Sequence, residues 1–171
     1  MSVFKTYSLE SLAEFPNRSE KLAIFERDPV KGADEFFHKI MINKFKIKGQ
    51  VFRNNSYNHI KSLIESVVPK KVKSEPFYSI WLKDMSNMCK YFCDFLKIES
   101  VGFSLGTKRV CKRYHLDNVP MRLLVTYAGK GTEWLPDEFV DRNAYENGLP
   151  NESILKSPSR SKFINTWDVA I

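Results

Sequence analysis

No stretch of this 171-residue chain approaches the roughly 18 consecutive apolar residues of a membrane span, so a helical membrane protein is excluded. The first twelve residues hold no long apolar run after Lys5, so no signal peptide is read there. Cysteine is scarce, with only Cys89, Cys93 and Cys111. An odd count without a secretory leader excludes a disulfide scaffold and predicts a reducing, cytoplasmic setting. No segment is of low complexity and nothing repeats. Three catalytic signatures are also missing: the G-x-S-x-G elbow, the H-E-x-x-H helix and the phosphate-binding G-x-x-x-x-G-K-[ST] loop.

What is present fits one globular domain, with 43% hydrophobic and 27% charged residues. A chain of this length buries a core without staples. The net charge is +7, from 27 basic and 20 acidic residues, and it is unevenly placed. Residues 1–37 carry net −2, residues 38–75 net +7, and residues 76–171 net +2. The basic stretch includes Lys44, Lys46, Lys48, Arg53, Lys70, Lys71 and Lys73. It reads first as a solvated lysine-rich face, with a binding module for an anionic partner (residues 39–73) as the alternative. No recognised nucleic-acid motif accompanies it, which argues against nucleic acid as the partner. The pattern assigns no oligomeric state.

Residues 33–45 place Phe36, Phe37, Ile40, Met41 and Phe45 near helical spacing. Residues 55–68 carry a second stripe, from Tyr57 to Val67, ended by Pro69. Residues 76–97 give the strongest signal, with Trp81, Met85, Met88, Phe92 and Phe95 at steps of three and four. Cys89 and Cys93 lie beside that stripe and read as buried small hydrophobes. Leu22 to Phe25 is a brief edge or lead-in strand. From Ile98 the period falls to two, and strands are expected at 101–105, 110–116, 121–127 and 133–135, followed by a loop at 141–158. The expectation is an α+β chain forming a single domain over 1–171. Residues 1–97 are mainly helical and residues 98–171 mainly β.

Chemistry concentrates in residues 111–122. His115 and Asp117 are two apart, which on a strand puts both on one face. An imidazole and a carboxylate so placed supply two ligands of the two-His-one-carboxylate triad of Fe(II) sites. Cys111 is a further candidate ligand, four residues before His115, and would suit zinc. Arg122 offers a guanidinium fork to a carboxylate, and Arg113 is a second candidate. With Arg109 and Lys112 nearby, a small anionic molecule is the expected ligand. An ion pair of Arg122 with Asp117 or Glu133 is the bland alternative. Gly129-Lys130-Gly131-Thr132 reads as a hairpin turn returning Trp134 beside the H-x-D strand, with Glu133 and Trp134 facing one cavity.

These residues resemble a bacterial family known as domain of unknown function 1826. Its pattern is close to C-P-R-x-H-x-D-x-x-P-x-R-L-x-x-T-Y-x-G-x-G-T-x-W-L, followed by D-R. Here it runs through Cys111, Arg113, His115, Asp117, Pro120, Arg122-Leu123, Thr126-Tyr127, Gly129, Gly131-Thr132, Trp134-Leu135 and Asp141-Arg142. Lys112 stands where the family has Pro. The end, from Asp168 to Ile171, is similar to the family's D-V-A-hydrophobic strand. The order of H-x-D and a late His resembles Fe(II)/2-oxoglutarate oxygenases on a double-stranded β-helix. That likeness implies an N-terminal helical layer on an antiparallel, cupin-like sheet. It also implies Fe(II) held by His115 and Asp117, and 2-oxoglutarate held by Arg122. The family's later H-R-S-P segment is not reached before Ile171. The resemblance therefore implies a sheet incomplete at the C-terminus and a truncated or inactive member. A non-catalytic metal-binding or zinc-homeostasis protein is the alternative.

Overall fold

The computed structural model describes residues 3–108, 113–157 and 160–171. In chain order the elements are β1 (Val3–Thr6), α1 (Leu9–Leu12), β2 (Leu22–Phe25), α2 (Ala33–Met41), β3 (Lys46–Phe52), α3 (Ser56–Ile64), α4 (Lys70–Lys73) and α5 (Pro76–Leu96). Then come β4 (Ser100–Gly106), β5 (Leu124–Val125), β6 (Glu133–Trp134), α6 (Arg142–Glu146), α7 (Asn151–Ile154), β7 (Lys162–Phe163) and β8 (Val169–Ala170). The chain is a mixed α and β protein in which antiparallel strand pairing dominates. It divides into two compact units, residues 31–110 and residues 1–30 with 111–171.

In the first unit α5 is the spine. Trp81, Met85 and Met88 of its stripe are buried, as the helical spacing predicts, and Phe77 is buried beside them, while Phe92 and Phe95 are only half-buried. Pro76 opens the helix, where its missing N–H has no partner to lose. Lys97 closes it in the left-handed conformation (φ 56°). Phe36 and Phe37 of α2 pack edge-on and tilted against this stripe, with ring centroids 4.9 Å apart for Phe36–Phe77 and 5.4 Å for Phe37–Trp81. Such pairs add about 0.5–1.5 kcal/mol each beyond area burial. α3 buries Ile60 and Ile64, and Ser56 meets Ser86 of α5 at 2.6 Å inside the core. β3 and β4 pair antiparallel from Lys46↔Gly106 to Phe52↔Ser100. Ile47, Val51, Val101, Phe103 and Leu105 share one face of this ribbon, and Lys46, Lys48, Gln50 and Phe52 share the other.

The second unit holds a four-stranded sheet in the order β1-β2-β8-β5. β1 runs parallel to β2, while β8 is antiparallel to both β2 and β5. β2 is therefore interior, not the expected edge strand; its Ala23 and Ile24 are buried, as are Val169 and Ala170. β6 and β7 form a separate antiparallel pair.

Four expectations fail here. Residues 113–116 are not a strand, and the strand expected at 121–127 shrinks to Leu124–Val125. Residues 141–158 are not one loop. Asp141 caps α6 by accepting the Ala144 N–H at 2.9 Å, and α7 follows. Nor do helices come first, because β1 and β2 precede α2 and build the sheet.

Candidate functional site

Much of the H-x-D neighbourhood is scaffold. The Thr126 carbonyl accepts the Trp167 N–H at 2.8 Å, and Tyr127 meets the Trp167 ring edge-on at 5.0 Å. Gly129 has a positive φ of 76°. A Cβ on Gly131 would overlap the Ile164 carbonyl, so only glycine lets these backbones meet. Asp141 is the α6 cap, and Arg142 pairs with Asp137. The hairpin expected to return Trp134 beside the H-x-D segment does not form, because β6 pairs with β7. Glu133 and Trp134 diverge. Glu133 accepts the Tyr114 hydroxyl at 2.7 Å, while Trp134 lines a cleft of about 370 Å³ with Lys5, Glu26, Lys162 and the buried Asp168.

The loop carrying His115 is pinned on both sides. The Arg113 guanidinium donates to the carbonyls of Tyr145 (2.9 Å) and Leu149 (3.2 Å) and lies over the Tyr145 ring. The Tyr114 N–H donates to Asn151 Oδ1 at 2.9 Å, and the Leu116 N–H donates to the Tyr145 hydroxyl at 3.1 Å. Arg113 thus holds the fold, leaving Arg122 as the better-placed cation for a ligand. Tyr145 and Asn151 escaped the sequence reading because nothing in the spacing ties them to residues some thirty positions earlier.

Between these clamps His115, Asp117 and Arg122 converge. His115 Nδ1 lies 2.8 Å from the Arg113 carbonyl oxygen. A carbonyl only accepts, so Nδ1 carries the proton and donates it. In the neutral ring Nε2 then presents a lone pair, and it faces Asp117 Oδ1 at 3.5 Å. Two lone pairs so aimed repel unless a proton or a cation sits between them. Two ligand atoms each about 2.1 Å from a metal and about 90–110° apart stand about 3.0–3.4 Å from each other, close to the separation here. The second oxygen, Oδ2, forms an ion pair with Arg122, whose Nε lies 3.0 Å away. The three side chains remain 44%, 31% and 48% exposed. Ion pairs that exposed contribute about 0–1 kcal/mol, and the pairing of Arg122 with Asp117 is the bland alternative that the sequence offered.

Residues 7–171 match the model of a family described as "Protein of unknown function (DUF1826)". The chain belongs to the DUF1826 family. No curated protein and no solved structure matches it. In this DUF1826 member the donor set fits a metal in part. His115 and Asp117 suit one, with a backbone carbonyl fixing the imidazole as outer partners of metal-bound histidines do. No third His, Cys, Asp or Glu joins them among the described residues. Cys111 lies outside the described residues, as do Arg109 and Lys112. Cys89 and Cys93 are buried in the other unit, and burial pushes the Cys89 thiol up to about 12, far from a ready thiolate. His59 accepts the Phe52 N–H through Nδ1 at 3.2 Å and ties α3 to β3.

Proposed function

We propose that His115 and Asp117 are two ligands of a divalent metal and that Arg122 both orients Asp117 and offers its remaining N–H donors to an anionic co-substrate. The reading is of a non-haem Fe(II)/2-oxoglutarate-type oxygenase site, on a sheet of the cupin-like, double-stranded β-helix kind. The observation that carries it is the fixed tautomer. With Nδ1 donating to Arg113, Nε2 and Oδ1 face each other with nothing of the protein between them. Fe(II) bound there would supply the oxidation of a C–H bond by O₂ with 2-oxoglutarate as co-substrate. The chain's own contribution is positional. Arg113, Tyr145 and Asn151 hold the loop, Arg122 sets the carboxylate, and its free guanidinium face receives a carboxylate group.

A second reading is zinc binding without catalysis, favoured by the openness of the site to water. Calorimetry separates the two. Fe(II) (anaerobically) and Zn(II) are titrated into the wild type, His115→Ala and Asp117→Ala, each with and without 2-oxoglutarate. The oxygenase reading expects metal-dependent 2-oxoglutarate binding, weakened in Arg122→Ala. The zinc reading expects zinc bound with no 2-oxoglutarate. Because both ligands are exposed, the variants fold, and equal metal affinity in wild type and His115→Ala sinks both readings.

A further inference from the structure

The charge excess of the chain belongs to one unit. Residues 31–110 hold 15 basic and 7 acidic residues, net +8, while the other unit holds 12 basic and 13 acidic, net −1. Within the basic unit, ion pairs engage four of the seven acids. Lys39 holds Glu35 and Glu75, Lys73 holds Glu65, and Arg53 holds Asp94. Among the described residues Lys44, Lys46 and Lys48 have no acidic partner, and all three are exposed.

The β3–β4 ribbon sets Lys46 and Lys48 in a line. Its outer face runs Lys46, Lys48, Gln50, Phe52 along β3, opposite Gly106, Ser104, Gly102 and Ser100 of β4. Alternate residues on a strand stand about 6.8 Å apart, so the two ammonium groups repeat along the ribbon rather than cluster. Phe52 ends the row, 43% exposed as a residue, with its ring meeting His59 edge-on at 5.5 Å. Opposite the row the side chains are small. A Cβ on Gly102 would meet nothing within 4 Å, so the fold itself does not ask for glycine there. Interior strand glycines commonly mark close approach of another chain.

We propose that this face binds single-stranded nucleic acid. Lys46 and Lys48 would meet consecutive phosphates, Phe52 would stack on a base, and the flat Gly/Ser row would let the strand lie close. Basic side chains with an aromatic platform are the combination that sequence-tolerant single-strand binding needs. The absence of a recognised motif argued against nucleic acid at the level of sequence. Strand pairing supplies what the linear pattern hides, namely one face carrying the cations, the amide and the ring together. This inference concerns a different unit from the proposed metal site and stands or falls separately.

The test is fluorescence anisotropy of a labelled oligothymidylate with the whole chain, across a salt series starting near about 50 mM, where phosphate contacts are strong. Binding is expected, weakening with salt. Lys46→Glu with Lys48→Glu should abolish it or cut the salt slope by about 1.4, the contribution of two single-strand phosphates. Phe52→Ala should weaken binding about tenfold with the slope kept, as loss of one stacked base does. Lys130→Glu with Lys162→Glu, in the other unit, should change neither. Circular dichroism checks that each variant folds. No binding by the wild type at low salt overturns the proposal. So does unchanged binding in the Lys46/Lys48 double variant, or retention on anionic lipid vesicles without any on the oligonucleotide.

Discussion

Gly131→Ala is the sharpest test of how the H-x-D neighbourhood is built. The added Cβ would overlap the backbone carbonyl of Ile164, and no flexible side chain can move aside to receive it. Relief requires residues 164–165 to retreat. That breaks the Ile164 N–H bond to the Thr132 carbonyl (3.0 Å) and loosens Ile164 from its cluster with Ile24 and Ala170. A lost hydrogen bond costs about 1 kcal/mol and a forced core shift about 1–3 kcal/mol, giving about 2–4 kcal/mol in all. For a chain of this size each kcal/mol moves Tm by about 2–4 °C, so a fall of about 4–16 °C is expected. Gly102→Ala is the control. Its Cβ meets nothing, its φ is ordinary, and the change should be neutral or stabilise by up to about 1 kcal/mol. Urea unfolding followed by circular dichroism and tryptophan fluorescence reads both. Gly131→Ala within about 0.5 kcal/mol of wild type would refute the close-approach reasoning, since surface changes without such a clash fall in that range.

Two further outcomes follow from the buried and paired groups. Ser86→Ala should cost about 1–3 kcal/mol by leaving Ser56 Oγ buried without its 2.6 Å partner, while Ser56→Ala with Ser86→Ala should recover part of that. A double variant as unstable as the sum of the singles, measured by urea unfolding, would contradict this. The Lys5 ammonium beside Glu26 holds its carboxyl below the usual carboxylate value. Its stabilisation is therefore present above the unfolded carboxylate range and lost as pH falls through the lower folded value. With Lys5 half exposed the effect stays under about 1 kcal/mol. In thermal melts the stability gap between wild type and Glu26→Gln should narrow as pH drops below about 4, and a gap that widens would refute the sign.

Elements with a local signal were legible in the sequence. α5 declared itself because Trp81, Met85, Met88, Phe92 and Phe95 repeat at helical steps within its 21 residues. β4 showed alternation, and β2 and β8 showed apolar runs. β3 was missed although Ile47 and Val51 alternate with Lys46 and Lys48, because its lysines read as part of a charge run and Gly49 interrupts the apolar face. β5, β6 and β7 are two residues each, too short for any period to exist, and their pairing is set by partners far along the chain. α6 and α7 are four or five residues long and owe their shape to caps and contacts rather than to a stripe.

The site shows the same division more finely. His115 and Asp117 do converge, but not because they alternate on a strand. They converge because Arg113, Tyr114 and Leu116 are bonded to Tyr145, Leu149, Asn151 and Glu133 around them. Fixing a residue's backbone costs about 1–2 kcal/mol, so ordering residues 113–117 outweighs anything an exposed His–Asp–Arg cluster can contribute in water. The ordering is sustained from outside the cluster, by groups whose own side chains are half-buried and bonded. Thr126, Tyr127, Gly129, Gly131 and Asp141 each meet a demand of the fold, whereas the side chains of His115, Asp117 and Arg122 meet one another and, through His115 Nδ1, the Arg113 carbonyl of their own loop. A loop held firmly so that an oriented nitrogen and a carboxylate oxygen face each other at the solvent boundary leaves a place that a proton or, on the proposed reading, a metal cation would fill.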